Sequence, residues 1–311
     1  MTSETPLGAR APGKLLLLGE YAVLFGAPAL VTAVDRYAEA RFTDDVDERP
    51  RAPEPAQAVA AVEALHGTLG RGLRTDVSAL RTGTMKLGLG SSAAATAAAA
   101  YAAFQAVGVT PAPRALFDLA DAANRAVQPG GSGVDVAASS YGATLRFSRE
   151  GDVVHIEPVA LPSGLVVRVV FTGRESSTPA MLASMRAFEA SSPDRFAAAR
   201  DALVTEARRA SRPVASPAAF VEAAGAYGDA LRAFGEVVGI PIVEDAALAI
   251  DRLARANGGR AKPSGAGGGD VSVAFFAGAD EASRFDLAAE REGLMTLALA
   301  VDARGPHLVF G

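Results

Sequence analysis

The chain has 311 residues, of which 50% are hydrophobic and 21% are charged, and its formal net charge is −5. This length allows a substantial core and predicts two domains or two fused lobes. An acidic chain without cysteine excludes disulfides, thiolate catalysis and cysteine-ligated zinc, and gives no global attraction to nucleic acid.

Short apolar segments separated by glycine and proline turns make up the first part of the chain. The first ten residues lack the basic-then-apolar pattern of a secretory signal, so we expect a cytoplasmic protein with no membrane segment. The predicted elements of this part are strands at 14–18, 22–34 and 36–42, a helix at 56–69 and a short strand at 77–80.

A glycine–serine loop that runs into an alanine-rich helix follows at Lys86–Ala100. Gly88 and Gly90 allow backbone conformations that a Cβ would block, and Ser91 and Ser92 stand where the helix is expected to begin and to be capped. The first turn of a helix carries unpaired N–H groups and a partial positive charge, which favours phosphate. By itself the loop is equally compatible with ordinary helix capping.

The rest of the chain alternates between helical and strand-like segments, without an internal repeat. Proline and glycine breaks divide a long helical region, and two more glycine-rich segments stand at Pro129–Asp135 and Lys262–Asp270. The predicted elements are helices at 113–127, 136–141, within 178–257 and at 280–292, and strands at 143–147, 151–156, 165–171, 271–276, 294–301 and 307–310.

Three glycine-rich loops that do not fit the Walker pattern carry a resemblance to the GHMP kinase superfamily. The segment PGKLLLLGEYAVLFGAPAL at Pro12–Leu30 resembles its first motif, GLGSSAAATAA from Gly88 its nucleotide loop, and KPSGAGGGD at Lys262–Asp270 its third motif. GSGVDVAASSYGATLRFS at Gly131–Ser148 resembles the catalytic-aspartate region of the phosphomevalonate kinase branch, as does FTGRESST at Phe171–Thr178. Tyr21 and Asp270, where mevalonate kinases usually carry histidine and glycine, point to the same branch.

This resemblance implies a two-lobed α+β fold. The N-terminal mixed α/β lobe would span residues 1–160 and the C-terminal ferredoxin-like lobe residues 161–311, with the active site in the cleft between them. It also implies ATP and Mg²⁺ as cofactors, and Lys14 and Asp135 as catalytic residues. The implied nucleotide-binding residues are Lys86, Gly88, Gly90, Ser91, Ser92 and Ala93, with Ser92 as the metal ligand. The implied substrate-binding residues are Lys14, Tyr21, Ser132, Arg174, Lys262, Ser264, Gly265 and Gly267.

Several of these residues have a second interpretation. Asp135 is either the general base or a cap of the helix after it, and Glu20 is either functional or an anchor of its loop. Ser132 either binds substrate or serves a turn. Arg174, Lys86 and Lys262 are either phosphate ligands or solvated charges. The histidines His66, His155 and His307 are expected to be structural or exposed.

One position departs from the mevalonate kinase pattern. Those enzymes carry a metal-binding glutamate about three turns before the catalytic aspartate, and Asn124 stands there in this chain. An amide is a weaker Mg²⁺ ligand than a carboxylate, so the sequence assigns no metal ligand beyond Ser92.

The resemblance implies phosphoryl transfer from ATP to 5-phosphomevalonate, a reaction that depends on positioning and charge neutralisation. Mevalonate kinase is the first alternative. Mevalonate diphosphate decarboxylase and a non-catalytic ligand-binding protein of the same fold are more remote. The expected partner is a small phosphorylated acceptor, with no nucleic acid and no membrane, in a monomer or a homodimer.

Overall fold

The structure is a computed structural model that describes residues 6–310. The predicted absence of a signal sequence rests partly on residues 1–5, which lie outside this range. The chain forms two compact units, each built from separate stretches of sequence. The first contains the chain up to Leu15, Thr32–Leu145 and the stretch from Ala300, and the second contains Leu16–Val31 and Arg146–Leu299. The predicted lobes, 1–160 and 161–311, stay a prediction.

The first unit combines an antiparallel sheet with packed helices. Its strands lie in the order β12-β1-β2-β6, and β3 also pairs with β2. Most of its elements lie between β1 and β6, and β12 returns from the far end of the sequence. The elements are β1 (Pro6–Leu18), β2 (Ala29–Thr43), α1 (Pro53–His66), β3 (Gly72–Asp76), β4 (Arg81–Thr82), β5 (Met85–Lys86), α2 (Ser91–Ala106), α3 (Pro113–Val127), α4 (Val134–Tyr141), β6 (Thr144–Glu150) and β12 (His307–Phe310).

The alanine-rich helix α2 lies at the centre of this unit. Every side chain from Ala93 to Ala100 is buried, and α2 packs against α1, α3 and α4. Small side chains allow close approach of neighbouring backbones, so the composition of α2 places its first turn firmly within the unit. The helix that carries the predicted nucleotide loop is therefore held in place by its neighbours.

In the second unit, β6 continues and pairs with β7, and a separate four-stranded antiparallel sheet has the order β11-β8-β10-β9. Helices α8 and α9 pack on this sheet through buried apolar side chains that include Ile250, Phe276 and Phe285. The elements are β7 (Val153–Pro158), β8 (Val166–Phe171), α5 (Thr178–Ser191), α6 (Pro193–Ala210), α7 (Pro217–Val238), α8 (Asp245–Ala256), β9 (Arg260–Pro263), β10 (Val271–Phe276), α9 (Ala279–Arg291) and β11 (Met295–Leu297).

Most predicted elements are confirmed, and three are wrong in detail. The two strands predicted at 22–34 and 36–42 are a 3-10 helix, Ala22–Phe25, followed by the single long strand β2. The short strand predicted at 77–80 is also wrong. The strand in this region is β3, which ends at Asp76, and Ser78–Leu80 is a 3-10 helix. Among the described residues, no helix combines the length and the apolar composition needed to cross a bilayer.

Candidate active site

The first glycine loop connects β5 to α2 and has a tight backbone. Gly88 and Gly90 have φ values of 70° and 74°, in the left-handed region. A Cβ on Gly90 would lie 2.9 Å from Cγ of Lys14, so the loop approaches Lys14 more closely than any other residue type would allow. Lys86, at the end of β5, is exposed.

The start of α2 corrects the prediction that a serine caps this helix. Gly90 is the N-cap residue, and no side chain accepts a bond there. The N–H groups of Ser91, Ser92 and Ala93 open the helix, where a backbone has no intrahelical acceptor to offer. These first-turn N–H groups are the donors that an anion at the start of a helix requires.

Ser92 has a buried hydroxyl with no hydrogen-bond partner among the described residues. Its carbonyl is used, because Thr96 Oγ1 donates to it at 2.9 Å, but Oγ is not. A buried hydroxyl without a partner costs about 1–3 kcal/mol, so its position is suited to a ligand. Residues 6–310 contain no group of three or more acidic or histidine side chains that could hold a metal ion.

Lys14 lies on β1 against the same loop. Its side chain is 9% exposed, and Nζ donates to the carbonyl of Gly88 at 3.1 Å, while the backbone N–H donates to Leu89 O at 2.9 Å. Lys14 and Asp135 form no ion pair with each other within residues 6–310. Lys14 is therefore a nearly buried cation whose ammonium, within the part of the chain that the structure describes, contacts a carbonyl oxygen and no carboxylate.

Asp135 lies in the first turn of α4, and this position bears on its interpretation as a helix cap. The helix begins at Val134 and its N-cap residue is Gly133, so Asp135 is not the cap. One carboxylate oxygen accepts from the N–H of Val136 at 3.0 Å. Helix α4 also packs against α2, the helix that carries Ser92.

Two neighbouring polar residues are used locally. Ser132 Oγ accepts from the N–H of Val134 at 3.3 Å, which is the turn role considered in the sequence. Asn124 donates from Nδ2 to the carbonyl of Ala120 at 2.9 Å, within its own helix. The structure thus gives Asn124 an intrahelical contact at the position where the family pattern has a carboxylate.

In the second unit, Glu20 and Lys262 form a buried ion pair. Both residues are almost inaccessible, at 1% and 2% exposure. Lys262 Nζ also donates to Pro263 O at 2.9 Å and to Leu16 O at 3.4 Å. These contacts satisfy the charge of Lys262 inside the protein, while its predicted substrate-binding role stays a prediction. They also favour the anchoring interpretation of Glu20.

Burial raises the pKa of the Glu20 carboxyl, and the neighbouring Lys262 ammonium opposes that rise. The backbone of Glu20 is fixed as well, because Tyr227 Oη on α7 donates to its carbonyl at 2.6 Å. Tyr227 is fully buried, and sequence reasoning missed it because nothing local connects it with a residue 207 positions away. In the turn after β1, Lys262 thus holds the side chain of Glu20 and Tyr227 holds its backbone carbonyl.

Tyr21 and Ser264 tie the same turn to the third glycine loop. Tyr21 has a left-handed φ of 58°, and its hydroxyl donates to Ala266 O at 2.6 Å. Ser264 Oγ accepts from the N–H of Leu16 at 2.9 Å, and the residue is 3% exposed. Their predicted substrate contacts stay a prediction, but both hydroxyls already have internal partners.

The third loop is built around close backbone contacts. A Cβ on Gly267, whose φ is 73°, would lie 2.1 Å from Ile242 O, and Gly265 also has a positive φ. Asp270 has a φ of 57°, which explains why glycine suits this position in related enzymes. Asp270 Oδ1 accepts from Ser176 N at 3.0 Å, so it connects the third loop to the segment after β8.

Arg174 is in that segment and is mostly solvent-exposed. Its guanidinium forms an ion pair with Glu244, just before α8. Its carbonyl accepts from Asp270 N at 2.7 Å. A ligand phosphate at Arg174 would therefore have to compete with Glu244 for the guanidinium.

Comparisons with known proteins identify the family and the fold. The model of the GHMP kinases N terminal domain matches residues 56–143. The phosphomevalonate kinase of Streptomyces sp. strain CL190 is 31% identical, over 88% of this chain and 91% of that protein. The mevalonate kinase of Archaeoglobus fulgidus is 28% identical, over 92% and 98%. The structure of Streptococcus pneumoniae phosphomevalonate kinase with phosphomevalonate and AMPPNP has a TM-score of 0.75, 18% identity, and coverage of 94% and 99%.

The chain is thus a kinase of the GHMP superfamily and has the α+β fold of that superfamily. Within the superfamily, it resembles phosphomevalonate kinase over most of its length. The sequence prediction of family and fold is confirmed.

Proposed function

We propose that this protein is an ATP- and Mg²⁺-dependent kinase of the mevalonate pathway that converts 5-phosphomevalonate to 5-diphosphomevalonate. The observation that carries the proposal is the buried Ser92 hydroxyl at the head of α2, which has no partner among the described residues. The similarity to the Streptomyces phosphomevalonate kinase supports the choice of acceptor.

In the proposed reaction, an oxygen of the acceptor phosphate attacks the γ-phosphorus of ATP. A new P–O bond forms there, the bond to the β-phosphate oxygen breaks, and ADP leaves. The first-turn N–H groups of α2 and the Ser92 hydroxyl hold the nucleotide, and Lys14 stabilises charge on the transferred group. Mg²⁺, when bound, neutralises phosphate charge and orients the oxygens.

Asp135 has a positioning task with this acceptor, because an ionised phosphate has no proton that must be removed before attack. Its carboxylate orients the acceptor. With mevalonate, whose hydroxyl must lose a proton, the same carboxylate would be the general base. The nature of the acceptor therefore changes what Asp135 does.

Mevalonate kinase is the second candidate, and one structural observation favours it. The phosphate that 5-phosphomevalonate carries and mevalonate lacks requires cations in addition to those that bind ATP. Of the two candidates, however, Lys262 is buried against Glu20 and Arg174 is paired with Glu244. The similarity to the Archaeoglobus mevalonate kinase points the same way. The substrate roles of Tyr21, Ser264, Gly265 and Gly267 remain part of the proposal in either case.

A coupled assay of ADP release tests the proposal on a panel that includes 5-phosphomevalonate and mevalonate. We expect kcat/KM for 5-phosphomevalonate to exceed that for mevalonate by more than about tenfold. The reverse preference would establish the second candidate. No turnover of either acceptor would reject both.

The variant Asp135→Ala tests the assignment inside the protein. We expect turnover to fall by about 10²-fold or more, with the affinity for Mg·ATP and the melting temperature nearly unchanged. Titration of a fluorescent ATP analogue measures the affinity separately. A collapse of nucleotide binding or of stability would instead identify Asp135 as a structural residue of α4.

A further inference from the structure

The third glycine loop has a backbone that only fixed contacts can keep in one conformation. Gly267 and Gly268 have φ values of 73° and 68°, so two successive residues are in the left-handed region. Glycine adopts this conformation readily but also leaves it readily, because no side chain restricts the backbone. Ordering such a segment costs conformational entropy, which its contacts must offset. The partners of the peptide groups therefore decide how rigid this loop is.

Two successive carbonyls of the loop accept hydrogen bonds from side chains. Tyr21 Oη donates to Ala266 O at 2.6 Å. Ser176 Oγ donates to Gly267 O, and the N–H of Gly268 donates to a backbone carbonyl at 3.1 Å. Because a peptide group is planar, with its C=O and N–H on opposite sides, the Gly267–Gly268 peptide is held from both sides. The direction of the Gly267 N–H is fixed as well, because Tyr21 holds the carbonyl of the same peptide.

Ser176 also contacts the loop through its backbone. Its N–H donates to Asp270 Oδ1 at 3.0 Å. Asp270 is held to the same segment by its own backbone, since its N–H donates to Arg174 O at 2.7 Å and its carbonyl accepts from Thr172 Oγ1 at 2.9 Å. We call the two hydrogen bonds of Ser176, to Gly267 O and to Asp270 Oδ1, the Ser176 latch.

Close packing leaves the loop little room on the side of the latch. A Cβ on Gly268 would lie 2.9 Å from Met181 Cε on α5, and one on Gly269 would lie 3.0 Å from Arg174 O. Ser176 is half-buried in the segment that leads into α5. Its neighbour Ser177 is exposed, and the Ser177 side chain makes no capping bond to α5. Two adjacent serines thus differ in whether they hold the loop.

We propose that Ser176 is a positioning residue for the phosphoryl transfer. Its hydroxyl holds the Gly267 carbonyl, so that the backbone of the third loop meets the substrate in one conformation. This inference rests on the proposed function, in which Gly265 and Gly267 contact the substrate. A loop that is held in advance needs no reorganisation during the reaction. Displacing a positioning group by about 1 Å can cost about 10²-fold in rate.

Hydrogen–deuterium exchange of the free full chain tests the latch without any substrate. We expect the amides of residues 264–270 to exchange about tenfold faster in Ser176→Ala than in the wild type, because the loop loses one of its fixed partners. Ser176→Thr keeps a hydroxyl and is expected to retain most of the protection. Ser177→Ala is the matched control and is expected to exchange like the wild type.

Steady-state kinetics of ADP release test the role of the latch in the reaction. We expect Ser176→Ala to lower kcat by about tenfold while KM for Mg·ATP changes by less than about twofold. Ser176→Thr is expected to recover most of kcat, and Ser177→Ala to keep the wild-type value. A residue with only a structural role would lower the melting temperature and leave kcat of the folded protein unchanged.

The proposal is overturned if residues 264–270 exchange equally fast in Ser176→Ala and the wild type, or if exchange accelerates while kcat is unchanged. A wild type that turns over neither 5-phosphomevalonate nor mevalonate would reject the proposed function and the role of Ser176 in transfer, whereas the exchange result would still decide whether the latch exists.

Asp270→Gly is the second variant, to be used if Ser176→Ala does not fold. It removes the carboxylate end of the latch and tolerates the φ of 57° at this position. We expect faster exchange at residues 264–270 together with a lower kcat. Wild-type exchange and wild-type kcat in this variant would equally overturn the proposal.

Discussion

The first and third glycine loops of this kinase each lie against a lysine and carry a serine, but these side chains have different surroundings. In the first unit, Lys14 faces a carbonyl oxygen and the Ser92 hydroxyl has no partner among the described residues. In the second unit, Lys262 is paired with Glu20, and the Ser264 hydroxyl accepts from Leu16 N.

From this difference we propose that the same residue types bind ligand at the first loop and stabilise the fold at the third. A polar group that the protein leaves unsatisfied is available to a ligand, whereas one with internal partners stabilises the fold. The contrast can be tested by making identical substitutions in the two units.

The largest effects are expected from replacing each lysine with methionine. Lys262→Met leaves Glu20 buried without its counter-charge and is expected to lower the free energy of unfolding by about 3–5 kcal/mol. Lys14→Met leaves no buried charge unpaired. It is therefore expected to cost less than about 1 kcal/mol of stability but to reduce turnover by about 10²-fold. Urea denaturation and the ADP-release assay measure the two quantities.

The double variant Glu20→Gln with Lys262→Met provides the control for this comparison. We expect it to recover much of the stability lost in Lys262→Met, because no isolated charge remains in the interior. If Lys14→Met were the more destabilising of the two single variants, the distinction between the loops would be wrong.

The two serines allow the same comparison at a smaller scale. Ser264→Ala leaves the N–H of Leu16 without an acceptor and is expected to cost about 1–3 kcal/mol of stability. Ser92→Ala removes no hydrogen bond of the Ser92 hydroxyl in the free protein, so we expect unchanged stability. We also expect kcat/KM for Mg·ATP to fall at least about tenfold. Equal losses of stability in both variants would contradict the assignment.

The smallest effect concerns His307, a side chain of the first unit whose two ring nitrogens both have partners inside the protein. Burial and the nearby Arg10 and Arg304 lower the pKa of His307 below its ordinary value of 6.5. Arg10 Nε donates to His307 Nε2 at 2.6 Å, and the other ring nitrogen contacts Gly305 O at 2.8 Å, which suits the neutral ring.

Because the unfolded chain takes up a proton that the native ring resists, stability should be fully present above the ordinary pKa and should fall as the pH drops below it. We expect His307→Gln to reduce this pH dependence by less than about 1 kcal/mol. Denaturation at several pH values on both sides of 6.5 measures it. An unchanged slope in the variant would exclude His307 as its source.

Much of the fold follows from local sequence signals. Proline at the first positions of α3, α6 and α7, and the breaks between the helices, gave boundaries that the structure confirms within a few residues. The 3-10 helix Ala22–Phe25 was not predictable in this way, because its apolar residues are equally typical of a strand and it is held by its tertiary contacts.

The candidate site was predictable as a set of residues but not as a set of contacts. The resemblance to the GHMP motifs implied roles for Lys14, Ser92, Asp135 and Lys262 without distinguishing their surroundings. The pairing of Lys262 with Glu20 joins residues 242 positions apart, and no local pattern encodes such a distance. Burial and partner identity, which decide between binding and assembly, require the folded chain.

The antiparallel pairing of β12 with β1 also bears on how the chain reaches its native state. Arg10 contacts His307, 297 positions later, so the edge of the first sheet stays incomplete until almost 300 further residues have been synthesised. Pairing between such distant segments closes a long loop and slows folding. The N-terminal strand on the ribosome therefore exposes an unpaired edge while the second unit is being made, and this edge is where protection by a chaperone would matter most.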